Sequence, residues 1–427
     1  MTEQSSAGVL DARTQRSILL IWLAWALLIT GFQAFVRARF DLARPDNALS
    51  WTASWTNADS LRRHPYLSSP VLAGHAAYDS EFYISIALNG YDDPGIRAVG
   101  PKSTADAPQA ALKGDEPTWT SLNRAFFPGY PLAMGILARP IMATGIDPIG
   151  AAIVAGVIVS MLGTLGAMLA IADLAAGAAG PGEAGGEAGG DGVRAAFYLL
   201  IWPAAVFLAQ VYSEGLFLGL SLGALAMMRR DRWGWAAALA VGAVFTRATG
   251  FLLLIPFGWA FLFGGARRTA GRALLALSPG FAYLVWRWLF GRDFDFTEIH
   301  YFGRFPFDLG KSWDAWSDAV QTLLAGEGQP KAYMLCEFIG VAAGLLSSAL
   351  LWRRDKALTL YGLAIFVVAL TSGAALGMHR YVLSMPSMFL VPAVMGRGAT
   401  FDRIWTFANM LGLSALTLAF SFGFWAG

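Results

Sequence analysis

The chain has 427 residues, 56% of them hydrophobic and only 14% charged, with a formal net charge of +2. A soluble domain carries roughly 25% charged residues, so this composition excludes a water-soluble globule, and the near-neutral balance gives no reason to expect nucleic acid as a partner. A single cysteine, Cys336, excludes an internal disulfide and a thiolate metal cluster.

The first apolar run, 17–36, is too long for a signal peptide and lacks a small-residue cleavage site, so it reads as a retained span. Further runs follow at 149–171, 195–211, 214–228, 233–247, 250–264, 273–290, 332–352, 357–376, 381–396 and 404–425. The expected fold class is therefore an all-α polytopic membrane protein, one membrane domain over 1–427 with about 11 transmembrane helices (10–12). Lysine and arginine accumulate in short cytoplasmic loops. Arg13 and Arg16 precede the first run, and "MMRRDR" (227–232), "GARRTAGR" (265–272), "WRRDK" (352–356) and "GRGATFDR" (396–403) fall at every second boundary thereafter. That parity places 37–148, "VYSEG", "TRATG", 291–331 and "GMHRY" on the opposite, extracytoplasmic side.

Parity also decides segment 125–145, "AFFPGYPLAMGILARPIMATG". Counting it as a span would reverse every later loop, so a re-entrant or interfacial helix broken by Pro128, Pro131 and Pro140 is expected. Irregular backbone at that depth implies a cavity covered by protein. Within 37–148 a large extracytoplasmic loop with short interfacial helices forms an ordered lid. Residues 174–193 read as a Gly/Ala-rich flexible cytoplasmic linker, and 291–331 as a second extracytoplasmic segment rich in aromatics. The runs at 214–228 and 233–247 give roughly 22 Å of helix against roughly 30 Å of hydrocarbon. Glu214 and Arg247 then lie below the outer surface, in a recess opening outward.

Charges at that depth cost roughly 2.5–3.5 kcal/mol each and ask for a reason. In "YDSEFYISIALNGY" (78–91) Asp79 and Glu81 stand about 200° apart around a helix axis and do not face one point. Asp79 before Ser80 also reads as the N-cap of a helix over 80–88. Glu214, Arg247, His379, Arg380 and Tyr381 share the side of Asp79. Each arginine alone reads equally as a snorkelling anchor; together they read as an outward cavity whose guanidinium forks suit phosphate. The four histidines lack metal-ligand spacing, and no metal or cofactor is expected.

The succession "YDSEFYISIALNGY", "AFFPGYP", "AQVYSEGLF", "FTRATGFLL" resembles the PIG-V (GPI mannosyltransferase 2) family and its bacterial relatives. The likeness covers about 75–255 well and the C-terminal third only through "HRYVLSMP". It departs at Tyr78, where the family has tryptophan, and at Thr249, where it has asparagine. The resemblance implies a GT-C glycosyltransferase with its active site away from the cytoplasm, expected in a bacterial plasma membrane. The implied donor is a polyprenyl-phosphate sugar, mannose first, and the acceptor a hydroxyl on a glycan, glycolipid or protein. Asp79 matches the family's acidic residue of the first outer loop, the implied catalytic base. Glu214 and Arg247 match the family's second and third motifs; with Glu81, His379, Arg380 and Tyr381 they are the expected substrate-binding residues. A GT-C enzyme for another lipid-linked sugar such as arabinose, and a lipid or sugar transporter or flippase, remain the alternative readings.

Overall fold

The computed structural model describes residues 10–40, 70–93, 98–99, 120–178, 186–264, 268–424 and 426–427. Much of 37–148, the expected outer loop, including most of the expected lid, lies outside the described residues. Helix α1 (Ala12–Arg39) begins where the Asp11 carboxylate accepts the Thr14 N–H at 2.7 Å, satisfying one of the donors a helix start leaves open. A single turn, α2 (Pro70–Ala73), and helix α3 (Asp79–Asn89) follow. Strands β1 (Ala98–Val99) and β2 (Thr120–Ser121) form one antiparallel pair, and a 3-10 turn (Leu122–Ala125) leads into α4 (Gly129–Met142). Next come α5 (Pro148–Ala178), α6 (Gly186–Ile201), a 3-10 segment (Pro203–Ala209), α7 (Glu214–Arg229) and α8 (Trp233–Thr246). A 3-10 segment (Ala248–Leu253) then leads to α9 (Leu254–Phe263), α10 (Ala270–His300), α11 (Leu309–Ala325), α12 (Gly328–Leu351) and α13 (Lys356–Leu370). The chain closes with α14 (Met378–Tyr381), a 3-10 turn (Val382–Ser384), α15 (Ser387–Met395) and α16 (Ala399–Ser421).

This is an all-α polytopic membrane protein. Among the described residues five helices, α1, α5, α10, α12 and α16, are long and apolar enough to cross a bilayer, six if the bent pair Gly190–Ile201 and Pro203–Ala209 counts as one span. Their outer faces carry Leu27, Leu28, Phe281, Trp288, Leu346 and Leu411, each 65–84% exposed. Side chains of that kind belong against lipid.

Each of the eleven expected spans contains helix among its described residues, but several are shorter or more broken than hydropathy suggests. Segment 195–211 is not one straight span: it turns through 85° between Ile201 and Pro203 and continues as a 3-10 helix. Pro203 lacks the N–H that would continue the α-helix, which accounts for the break. Segment 250–264 begins in 3-10 form, and 381–396 is divided among three short pieces. Within 125–145, α4 has 14 residues, about 21 Å, too short to cross. Residues 174–178 and 186–193, read as flexible linker, are helical; alanine is the best helix former, and Asp191 is buried. The part of that linker at 179–185 lies outside the described residues.

Helices α5 and α7 meet backbone to backbone. A Cβ on Gly215 would sit 2.1 Å from the Ser160 carbonyl oxygen, and one on Gly219 2.4 Å from that of Gly163. Small residues four apart allow this approach in membranes, where packing rather than the hydrophobic effect holds helices together. The contact fixes the start of α7, and with it Glu214.

The arginine clusters gather at one end. Arg230 pairs with Asp173, Arg229 with Asp355, Arg272 with Asp231, and Asp191 takes both Arg194 at 2.8 Å and Arg397 at 2.7 Å. Glu214 opens α7 and Arg229 ends it, so the 16-residue helix separates Glu214 from these clusters by about 24 Å.

Candidate active site

Three of the 3-10 segments, Pro203–Ala209, Ala248–Leu253 and Val382–Ser384, occur at the end away from the arginine clusters. The second follows Arg247, the third follows Arg380 and Tyr381, and Phe207 of the first lies under Arg380. Irregular backbone at membrane depth is tolerated where it is buried in protein or lines a cavity, and here it shapes the region around Glu214.

Glu214 is 2% exposed. One of its carboxylate oxygens, Oε1, accepts from both Arg247 Nη1 and Arg380 Nε. Arg380 also reaches Asp79, its Nη2 3.4 Å from Oδ2, and donates from Nη1 to the Gly427 carbonyl at 3.1 Å. Arg380 lies over the rings of Phe207 and Tyr212, 4.7 and 5.0 Å from their centroids, and Arg247 lies 5.9 Å from Phe217. The result is a continuous chain of alternating charge: Arg247, Glu214, Arg380, Asp79. Its members come from four separate parts of the sequence. Pairing and ring contacts compensate what burial of these charges would otherwise cost.

Asp79 opens α3 and keeps 21% of its side chain exposed. It does not cap the helix: the N-cap position is Tyr78, with no side-chain cap bond, and the Ser80 hydroxyl reaches back to accept the Ala77 N–H at 3.1 Å. Tyr78 holds φ 54°, a conformation L-residues rarely adopt. Its ring is anchored on the far side, the hydroxyl donating to the Gly423 carbonyl at 2.5 Å. Strain of this kind costs of order 1–3 kcal/mol and persists where the surroundings enforce it. Here it sets the direction in which α3 presents Asp79.

Glu81 is buried on the same helix. Aromatic packing holds α3 in place: Phe82 stacks on Phe126 at 4.8 Å, and Tyr83 meets Tyr130 edge-on at 4.9 Å and Tyr212 at 6.4 Å. The Tyr83 hydroxyl donates to Ser213 Oγ at 3.0 Å, beside Glu214. Four sequence stretches, "YDSEFY", "AFFPGYP", "AQVYSEG" and "FTRATG", therefore close on one another in space. Asp92 and Asp93 serve elsewhere, Asp92 with Arg124 at 2.7 Å and Asp93 with Ser85 and Asn89 at 2.7 and 2.9 Å.

His379 is 3% exposed and faces the interior: Nε2 lies 2.8 Å from the Ala426 carbonyl and Nδ1 3.3 Å from Glu337 Oε1. It braces the short helix that carries Arg380. Glu337, wholly buried, does the larger share of this, accepting the N–H groups of Gly377 at 2.6 Å, Met378 at 2.5 Å and His379 at 3.3 Å. A carboxylate there both satisfies the open donors of α14 and fixes its orientation.

Tyr381 is partly buried at the end of α14. Beyond it lies Arg304, 45% exposed, 3.6 Å from Glu298. Tyr381 foremost, with Glu298 and Asp79 adding to it, pushes the Arg304 pKa upward. Arg304 is a further cation at this end, paired with Glu298. The sequence reading missed Arg304, Glu298 and Glu337. For Glu337 a signal existed, since a lone carboxylate inside the apolar run 332–352 asks for a partner.

Neither a family model nor a curated protein matches the chain. Among solved structures it is similar to the archaeal oligosaccharyltransferase AglB from Archaeoglobus fulgidus, in complex with an inhibitory peptide and a dolichol-phosphate. The two are 14% identical with a TM-score of 0.42, over 94% of this chain and 56% of that one. The apo form of the oligosaccharyltransferase from the same organism gives 14% identity and a TM-score of 0.43 over the same shares. The chain spans a little over half the length of these enzymes, and a likeness of this size decides neither family nor chemistry.

Proposed function

We propose that the chain is a GT-C-type membrane glycosyltransferase. It transfers a sugar, mannose first among the candidates, from a polyprenyl-phosphate donor to an acceptor hydroxyl on the extracytoplasmic face. The observation that carries this reading is the bridge made by Arg380, one guanidinium bound to the buried Glu214 and reaching the part-exposed Asp79. A base for the acceptor and a cation for the leaving group then stand side by side.

In the proposed step the acceptor oxygen attacks the anomeric carbon while Asp79 takes the hydroxyl proton. The bond from that carbon to the phosphate oxygen breaks, and the electron pair leaves with the lipid phosphate. A single in-line displacement inverts the anomeric configuration. Arg380 and Arg247 face the charge that grows on the phosphate, and Arg304 adds a further cation at the same end. Glu214 serves as the fixed counter-ion that orients two guanidinium forks before substrate arrives, which is what electrostatic preorganisation requires. His379 and Tyr381 support Arg380 and Arg304 rather than the sugar. The apolar outer faces of the long helices give the donor's lipid tail a place beside the site.

The test is sugar transfer by the purified chain in detergent, offered polyprenyl-phosphate mannose and polyprenyl-phosphate arabinose with soluble glycan acceptors. Transfer that vanishes in Arg380→Ala supports the reading, and the preferred donor names the sugar. Movement of intact donor across a vesicle membrane with no transfer from either donor would assign the cavity to transport instead.

A further inference from the structure

Helix α11 is not among the helices long and apolar enough to cross a bilayer, yet it shows three faces of different character. At about 100° per residue, Leu309, Trp313, Val320 and Leu324 fall within a sector of roughly 60°, and they are 42–75% exposed. On one side of that stripe Ser312 and Ala319 are buried, and Trp316 packs edge-on against Phe338 of α12, with ring centroids 5.6 Å apart. On the other side Lys311, Asp314, Asp318 and Gln321 share a sector and are exposed. A buried face, a charge-free apolar face and a polar face together suit a helix at the boundary of lipid and water.

The neighbours of the stripe say what covers it. Helix α12, on which α11 packs, is long and apolar enough to cross a bilayer. Beside Phe338 its Leu335 and Ile339 are half-exposed, so the stripe continues the apolar surface of a spanning helix. One lysine against two aspartates on α11 gives no attraction to anionic headgroups. What the stripe offers is contact with acyl chains.

The inner face of the same stretch grips the end of α13. The N–H groups of Phe305 and Phe307 donate to the Ser372 and Thr371 carbonyls at 2.9 and 2.8 Å. Ser312 Oγ accepts the Gly373 N–H at 3.1 Å, and Trp316 Nε1 donates to the Leu370 carbonyl at 3.0 Å. These bonds hold residues 370–373, where the loop toward Gly377 and α14 begins.

We propose that α11 is a lipid-seated clamp. Leu309, Trp313, Val320 and Leu324 lie against the acyl chains of the bilayer, and through its inner face this seat fixes the loop 371–377. The proposal concerns contact with the bilayer and does not depend on what the charged chain around Glu214 catalyses.

The experiment places single cysteines in a Cys336→Ala background, labels each with bimane and reconstitutes the full chain in phosphatidylcholine vesicles. Some vesicles carry phosphatidylcholine spin-labelled on the acyl chain. Labels at Trp313→Cys and Leu324→Cys are expected to lose most of their fluorescence to the spin label, and labels at Asp314→Cys and Asp318→Cys to keep most of theirs. Equal quenching at all four positions would overturn the proposal, as would none at 313 and 324, which would assign the stripe to a protein contact. Hydrogen exchange in lipid nanodiscs tests the clamp. Trp313→Glu combined with Leu324→Glu is expected to speed exchange of 371–376 while α5 exchanges as in the wild type, and Asp314→Asn combined with Asp318→Asn is expected to leave both unchanged. Wild-type exchange of 371–376 in the glutamate variant would overturn the link between the bilayer and the loop.

Discussion

The two ends of the molecule are both rich in ion pairs, and they use them in opposite ways. At the arginine-rich end the bonds mostly run one to one between neighbouring helices, as in Arg230 with Asp173 or Arg272 with Asp231, and the Arg272 pair is open to solvent, Asp231 being 57% exposed. At the other end one carboxylate serves two arginines, one of those arginines serves two carboxylates, and Glu214 is shut away from water. The first arrangement ties helix ends together and tolerates loss. The second is a shared structure in which removing any member leaves its partners uncompensated.

Glu214→Ala is the most severe way to break that comparison. Two buried guanidinium groups would lose their common acceptor, and breaking a buried pair typically costs about 3–5 kcal/mol. A drop of that size in unfolding free energy, read from thermal melts in detergent, is expected together with loss of activity. A melt unchanged from wild type would mean that the arginines find other partners.

Arg247→Ala sharpens the same contrast on the side of catalysis. Losing a charge-assisted contact to the leaving phosphate is expected to raise the barrier by about 2–4 kcal/mol, seen as a fall in kcat/KM for the donor. Arg268→Ala, exposed near the arginine-rich end, is expected to leave kcat/KM close to wild type. Equal losses in the two variants would remove Arg247 from the site.

Arg272→Ala marks the small end of the scale. Its pair with Asp231 is solvent-exposed, and such pairs contribute about 0–1 kcal/mol. A melting temperature lowered as far as in Glu214→Ala would erase the distinction between the two ends.

Much of this division was legible in the sequence, because charge parity needs only the order of apolar runs and arginine clusters. It set Asp79, Glu214, Arg247 and Arg380 on one side, and the structure joins those four. What spacing does not carry is the sharing: nothing in "VYSEG" or "TRATG" says that two guanidinium groups meet one oxygen of Glu214. The N-cap expectation for Asp79 failed because the turn before α3 is set by Tyr78, whose positive φ depends on an anchor at Gly423, 345 residues away. The linker expectation failed at its two ends because composition does not register that Asp191 pairs with Arg397 of a distant loop. Segment 195–211 reads as a single run, yet at Pro203 the chain turns through 85°. Arg304 lay in an aromatic stretch without periodicity and offered no comparable signal.

The central claim is that Asp79 takes the proton of the acceptor hydroxyl, and Asp79→Asn tests it most directly. Asparagine keeps the size of the side chain and an oxygen for Arg380, so the fold is expected to melt within a few degrees of wild type. Sugar transfer, measured under single-turnover conditions with saturating donor, is expected to fall about 10²–10⁴-fold, the usual effect of removing a general base. An Asp79→Asn protein that melts normally and still transfers sugar at near the wild-type rate would contradict the account.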